Sequence, residues 1–297
     1  MGKKTNIALA IAAASAAVWA GTKAIAKPQV RTNNMALQFE RTVILGKHGA
    51  GQLAPAHSMI SFEIADQLGV DGFKVDVRLT KDEQIVLFHD DSLEKSTNFI
   101  GNIKDYTLDE LKEFNIGEKF QDENGENPFK DEHLQIVSLR ELLEAFSNKY
   151  ILIDIKDHPD TYEGSLMPSK LWRLMEELEV SDKIIVSSNY AEQIDRFDLY
   201  AQSRVVLSAG ENEATKAFTA FTSQFGHLYK PKADILTVPT KLNVINFESP
   251  RFLQFLANLN CSIFYTDVND VESFQRLINS NAKGIITERP DLLIKNS

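Results

Sequence analysis

The chain has 297 residues, 43% hydrophobic and 25% charged, enough for one large domain with a real core, which excludes disorder as the main state. A formal net charge of -10, a pI near 5.2 and no basic stripe exclude a nucleic-acid partner, because binding to a phosphate backbone is driven by clustered Lys and Arg. The lone cysteine, Cys261, excludes an intramolecular disulfide and a cysteine-based zinc site and reads as a buried strand residue.

Residues 1–26 differ in kind from the rest. Lys3 and Lys4 precede the Ala-rich run "NIALAIAAASAAVWAGTKAIA", which reads as a signal peptide or a short membrane anchor. Its uninterrupted apolar part falls below the roughly 20 residues of a comfortable span, Lys23 can snorkel, and Val18-Trp19-Ala20 and Ala24-Ile25-Ala26 both suit cleavage. Cleaved or not, the remainder is expected at the membrane or outside the cytoplasm. Residues 27–41 form a polar linker, and a single domain is expected over 42–297.

From Thr42 onward short β-rich runs alternate with helical patterns, which points to a parallel sheet. The runs are "TVILG" (42–46), "GFKVDVRL" (72–79), "QIVLFHD" (84–90), "YILIDIK" (150–156), "KIIVSS" (183–188), "SRVVLS" (203–208), "ADILTV" (233–238), "CSIFYT" (261–266) and "KGIITE" (283–288). Only residues around Thr80 to Glu83 separate the second run from the third, too few for a parallel crossover, so the third must fold back as a hairpin. Eight parallel strands remain, and the expectation is an α/β (β/α)8 TIM barrel. Its hairpin returns His89 to the C-terminal mouth, where such barrels place their chemistry. A doubly wound open sheet competes, but no G-x-G-x-x-G turn follows the first strand. Thr107-x-x-Glu110 and Ser138-x-x-Glu141 are capping boxes that open helices. Between them "GEKFQDENGENPFKDEHLQ" reads as a small surface insertion after the second barrel strand, without the ligand register of a calcium loop.

Polar residues at strand ends are the informative ones, since a strand interior has no use for them. In order they are Lys47 and His48, Lys74 and Asp76, His89 and Asp90, Asp154 and Lys156, Ser188 and Asn189, Thr266 and Asp267, and Thr287 and Glu288. Lys74 and Asp76 share a strand face, as do Asp154 and Lys156. Carboxylates can hold a hard divalent cation, imidazoles can move protons near neutral pH and ammonium groups can hold a phosphate. That combination suits phosphate-ester chemistry.

Residues 69–98, "GVDGFKVDVRLTKDEQIVLFHDDSLEKSTN", together with "LIDIK" and "GIITERPDLL", carry a resemblance that runs from about Thr42 to Leu293. The chain resembles the glycerophosphodiester phosphodiesterase family, (β/α)8 enzymes related to phosphatidylinositol-specific phospholipases C. The resemblance implies metal-assisted hydrolysis of a small-molecule glycerophosphodiester to an alcohol and glycerol 3-phosphate, with two histidines as acid and base and carboxylates on the cation. Carried over by residue, His89 matches the second histidine, Asp76 the aspartate of E-x-D, Asp154 the later acid and Lys156 the lysine after it. Phe264 and Tyr265 lie where the family often has a tryptophan lining the substrate site.

Departures fall in "ILGKHGAGQLAPAHS" and on the second strand. Counting back from Pro55, Lys47 stands on the histidine of H-R-G and His48 on its arginine; Ala56 replaces the glutamate of P-E-N-T, and Lys74 replaces the glutamate of E-x-D. Two readings follow. In one, His48 or Lys47 partners His89 in catalysis, Lys74, Lys156 and Tyr265 bind substrate, and Asp76 and Asp154 hold Ca²⁺ or Mg²⁺, or Lys74 supplies that charge and no metal is used. In the other, turnover is lost and a membrane-tethered barrel binds a glycerophosphoryl group. His57, His133, His158 and His227 have no comparable context and read as surface residues.

Overall fold

Alternating buried runs and capped helices build the expected barrel in a computed structural model, which describes residues 17–24, 26, 30, 31 and 39–294. The strands are β1 Val43–Lys47, β2 Gly72–Leu79, β3 Ile85–Leu87, β4 Tyr150–Ile155, β5 Ile184–Ser188, β6 Val206–Ala209, β7 Ile235–Val238, β8 Lys241–Leu242, β9 Ile245–Asn246, β10 Ser262–Tyr265 and β11 Gly284–Thr287. Parallel neighbours run β1-β11-β10-β7-β6-β5-β4-β2, and β2 pairs back onto β1 to close the barrel. β3 lies antiparallel on β2, with Val77 opposite Leu87, because the turn between them is too short for anything but a hairpin. β8 and β9 form a separate small hairpin.

Side-chain alternation divides the strands into two faces. The outward face packs on helices such as Met59–Gln67, Tyr162–Leu178 and Ala191–Ala201 in the main core. The inward face gathers Val43, Leu45, Leu152, Ile185, Val206, Ile235, Phe264 and Ile286 into one apolar plug. Phe264 fits there because β11 opposes it with Gly284, where a Cβ would lie 2.4 Å from the ring. Toward the C-terminal ends the same face turns polar. Asp76 stands in register with Asp154, Asp154 with Ser187, and Ser187 with Ser208, all of them buried.

Both expected capping boxes form, Thr107 with Glu110 and Ser138 with Glu141. Between β3 and the helix Leu139–Ala145, Phe88, Leu93, Ile103, Leu111, Ile116 and Ile136 make a satellite apolar cluster with Val86 beside the barrel. The expected signal or anchor falls largely on residues 1–16, outside the described ones. Residues 17–24 are helical, and Trp19 Nε1 donates to the Gln224 carbonyl at 3.0 Å. Among the described residues no helix is long and apolar enough to cross a membrane.

Candidate active site

β1 ends in an abrupt turn. His48 (φ +56°) and Gly49 (φ +85°) are both left-handed, and a Cβ on Gly49 would lie 2.5 Å from the Ser61 backbone. His57, at the far end of the loop, is also left-handed (φ +63°). A non-glycine residue in this region costs on the order of 1–2 kcal/mol, and such strain persists where surrounding contacts over-determine it. Those contacts are present: His57 N donates to His48 O at 3.1 Å, Ser61 Oγ donates to the same carbonyl at 2.9 Å, and Ala50 N donates to Ser61 Oγ at 2.9 Å.

The turn brings two imidazoles together over β2. The His48 and His57 rings are 4.2 Å apart, and His89, delivered by the hairpin, lies 6.1 Å from His48. His48 Nε2 is 2.6 Å from Asp76 Oδ2. His57 Nε2 accepts the backbone N–H of Asp76 at 3.1 Å, so its proton belongs on Nδ1. Burial holds both rings below the ordinary histidine range; for His48 the Asp76 carboxylate opposes that fall without reversing it. Both are therefore neutral at pH 7. The His89 side chain is 56% exposed, with Nδ1 3.2 Å from Asp90 Oδ1.

Beneath the imidazoles lies a square of alternating charge. Lys74 Nζ donates to Asp76 Oδ1 and reaches Asp154 Oδ2 at 3.4 Å; Lys156 Nζ reaches the same two oxygens at 3.1 and 2.8 Å. Burial works against charge on Asp76, yet Lys74, His48 and Lys156 hold its carboxyl well below the usual range. Burial also disfavours the Lys74 ammonium, but Asp76 and Asp154 outweigh it and raise its pKa. Lys74 and Asp76 are thus both charged, and because each lysine touches both aspartates, removing any one of the four strands a buried partner. Asp154 Oδ1 is buried and accepts no hydrogen bond among the described residues.

A cavity of about 200 Å³ opens against His48, His57 and His89 and is walled further by Lys95, Lys119 and Phe120. A second, about 210 Å³, is lined by Arg78, Lys156, Asp157, His158 and Tyr190. Asp157 there is pushed up to about 6 by burial, against the Leu79 N–H and Arg78, which pull it down.

The fold brings together His48, His89, Lys74, Lys156, Asp76 and Asp154. Lys47 reaches the mouth but is committed across it, 2.5 Å from Asp267 and 3.3 Å from Glu288. Burial disfavours its charge; those carboxylates overcome this and keep it an ammonium. Tyr265 departs from its expected place. Strand parity turns Phe264 inward and Tyr265 outward, where the ring is 1% exposed and the hydroxyl donates to the Phe247 carbonyl at 3.1 Å. His57 corrects the surface reading: it is 3% exposed and inside the site. The signal was its place at the end of the same Gly-rich loop, just before the helix that Ser58 caps. His158 is half exposed, consistent with the surface reading.

Among the described residues, one group brings three metal-ligating side chains within 4.8 Å of one another: His48, His57 and Asp76. It shares Asp76 with the expected pair Asp76 and Asp154.

The sequence model of the "Glycerophosphoryl diester phosphodiesterase family" matches residues 48–292. The chain is 28% identical over 256 residues to the glycerophosphodiester phosphodiesterase of Caldanaerobacter subterraneus, covering 86% of this chain and 97% of the relative. It is 26% identical over 287 residues to the human lysophospholipase D, with 86% and 87% covered. Among solved structures, an Oleispira antarctica phosphodiesterase in complex with the product sn-glycerol-3-phosphate superposes with a TM-score of 0.65 at 17% identity, over 86% of this chain and 98% of that one. With the barrel, the mouth and the matched length agreeing, the chain belongs to the glycerophosphoryl diester phosphodiesterase family.

Proposed function

We propose that this chain is a phosphoric diester hydrolase that cleaves glycerophosphodiesters to an alcohol and glycerol 3-phosphate at the barrel mouth. The observation that carries the reading is one exposed and one buried imidazole, His89 and His48, 6.1 Å apart on a cavity wall, with Asp76 at His48 joined to one buried ammonium, Lys74, and one partly buried, Lys156. His48, neutral and with Asp76 beside Nε2, is assigned as the base that takes the attacking water's proton on Nδ1. His89, its Nδ1 held by Asp90, is assigned as the acid that returns a proton from Nε2 to the departing alkoxide. Lys74 and Lys156 offset the charge on the phosphoryl oxygens, a preorganised electrostatic role. Lys47 is given no proton-transfer role, because an ammonium held by two carboxylates has no lone pair to offer. His57 locks the Asp76 backbone and backs His48.

The divalent ion that the family resemblance implies does not fit the residues present. At about 4 Å and an effective dielectric near 20, each carboxylate attracts a dication by about 8 kcal/mol, and each ammonium repels it by the same amount. Asp76 and Asp154 are matched one for one by Lys74 and Lys156, so little net attraction is left to offset the ion's dehydration. In the His48, His57 and Asp76 group, the His57 Nε2 lone pair already receives the Asp76 N–H.

Residues 117–135 serve as the small insertion after the second barrel strand, and its Lys119 and Phe120 line the cavity. Residues 1–26 tether or export the chain, so that it acts at the membrane or outside the cytoplasm; Lys3, Lys4 and the apolar run support this. Cell fractionation of a tagged full-length chain tests that assignment, and recovery solely as uncleaved cytosolic protein would end it.

The activity test is release of glycerol 3-phosphate from a panel of glycerophosphodiesters by the full chain, with His89→Ala as the blank. Turnover that disappears in the blank supports hydrolysis. A folded chain that binds glycerol 3-phosphate and turns over nothing supports a binding protein instead.

A further inference from the structure

We infer that the Lys74 ammonium occupies the charge position of a divalent cation and that the site neither binds nor needs one. This rests on the mouth being the hydrolytic site, but its decisive measurement is independent of turnover. β2 places Lys74 two residues before Asp76 on the inward face, and β4 places Lys156 two residues after Asp154, with the aspartates in register. The result is geometric: the facing oxygens Asp76 Oδ1 and Asp154 Oδ2 each receive both ammonium groups. Any ion bridging these oxygens would touch two cations. Neither lysine can simply swing away, because the side chains are only 10% and 14% exposed and their departure would leave buried carboxylates unpaired.

The same square explains how charge survives on a strand whose residues are all buried. A carboxylate at position 74 would give three acids and one ammonium, a cluster that gathers a dication. Lysine at 74 closes the cluster on itself. The phosphate of a substrate then meets positive charge that is covalently part of the barrel, and rate is decoupled from free Ca²⁺ and Mg²⁺.

Isothermal calorimetry and thermal unfolding of the full chain with CaCl2 or MgCl2, against chelator, test this directly. For the wild type the expected result is background heat, a Tm change below about 1 °C, and turnover unchanged within about twofold by chelator. Lys74→Glu is expected to gain stoichiometric binding and a Tm rise of about 5 °C or more at a hundredfold excess over Kd. Stoichiometric Ca²⁺ or Mg²⁺ binding by the wild type would overturn the inference, as would a folded Lys74→Glu that still binds neither ion. Should Lys74→Glu fail to fold, the wild-type calorimetry and Lys74→Gln, expected to gain weaker binding, decide it. Absence of turnover on every substrate would end the hydrolase reading while the calorimetry still answered the cation question.

Discussion

The barrel mouth has two unlike halves. Near the mouth the inward residues of β2 and β4 are charged, Lys74, Asp76 and Asp154, and the three imidazoles sit over them. On β6 and β7 the corresponding residues are Ser208 and Thr237, whose hydroxyls are satisfied by each other at 2.8 Å. Both halves are polar and largely buried, but they obey different rules. A hydroxyl pair is complete with one hydrogen bond. A buried charge is tolerable only with opposite charge in contact, so the charged half had to be built as a set, each lysine beside an aspartate. Chemistry therefore concentrates on adjacent strands rather than around the whole ring.

Substitutions can break that contrast in order of effect. His89→Ala, at an exposed side chain, is expected to lower turnover by about 10²–10⁴ while leaving Tm within about 1 °C, measured by glycerol 3-phosphate release and calorimetry. A parallel loss of stability would show that His89 is structural. Lys156→Met removes one corner of the square. Turnover should fall by about 10²–10³ and stability by about 3 kcal/mol in urea titrations, because two buried carboxylates are left with one ammonium. Unchanged stability would mean that the square is not closed in solution.

Protonation sharpens the comparison further. His48 and His57 have folded pKa values below the unfolded 6.5, so below pH 6.5 the unfolded chain binds protons that the native state refuses. Stability is then full above about pH 6.5 and falls with acidification, by up to about 1.4 kcal/mol per pH unit for each ring. Asp157, raised to about 6, has the opposite sign, its contribution being present below pH 3.8 and lost as pH rises through 6. Urea midpoints at several pH values between 5.5 and 7.5 measure the net slope, and His57→Asn, whose amide oxygen can still accept the Asp76 N–H, should remove one ring's share, up to about 1.4 kcal/mol per pH unit. An unreduced slope would place the protons elsewhere. In the neutral half, Ser208→Ala is expected to cost only about 1 kcal/mol, the bond to Thr237, with turnover within about twofold. A large catalytic loss there would erase the distinction between the halves.

Legibility followed the same division between local and distant causes. The turn between β2 and β3 announced the hairpin, and Thr107 with Glu110 and Ser138 with Glu141 announced helix starts, because each depends on residues a few positions apart. The pairing of Lys74 with Asp76 was visible as two residues on one strand face. Tyr265 was one residue out of phase: its neighbour Phe264 faces the barrel interior opposite Gly284, and that parity is set by a strand in another part of the chain. His57 was hidden because a loop histidine carries no periodicity. Only the left-handed turns at His48 and His57 fold it back over β2.

By itself the sequence determined the nine main strand runs, two capped helix starts, the eightfold count and the residue types available at the mouth, since hydrophobic period, capping and crossover length are local properties. Tertiary structure alone decided which of those residues meet: that two lysines share the same two aspartate oxygens, that His48 faces Asp76 while Lys47 is drawn to Asp267 and Glu288, and that a second buried imidazole backs the first. Barrel closure brings β1 against both β2 and β11, and contacts set by that closure have no trace in neighbouring residues of the chain.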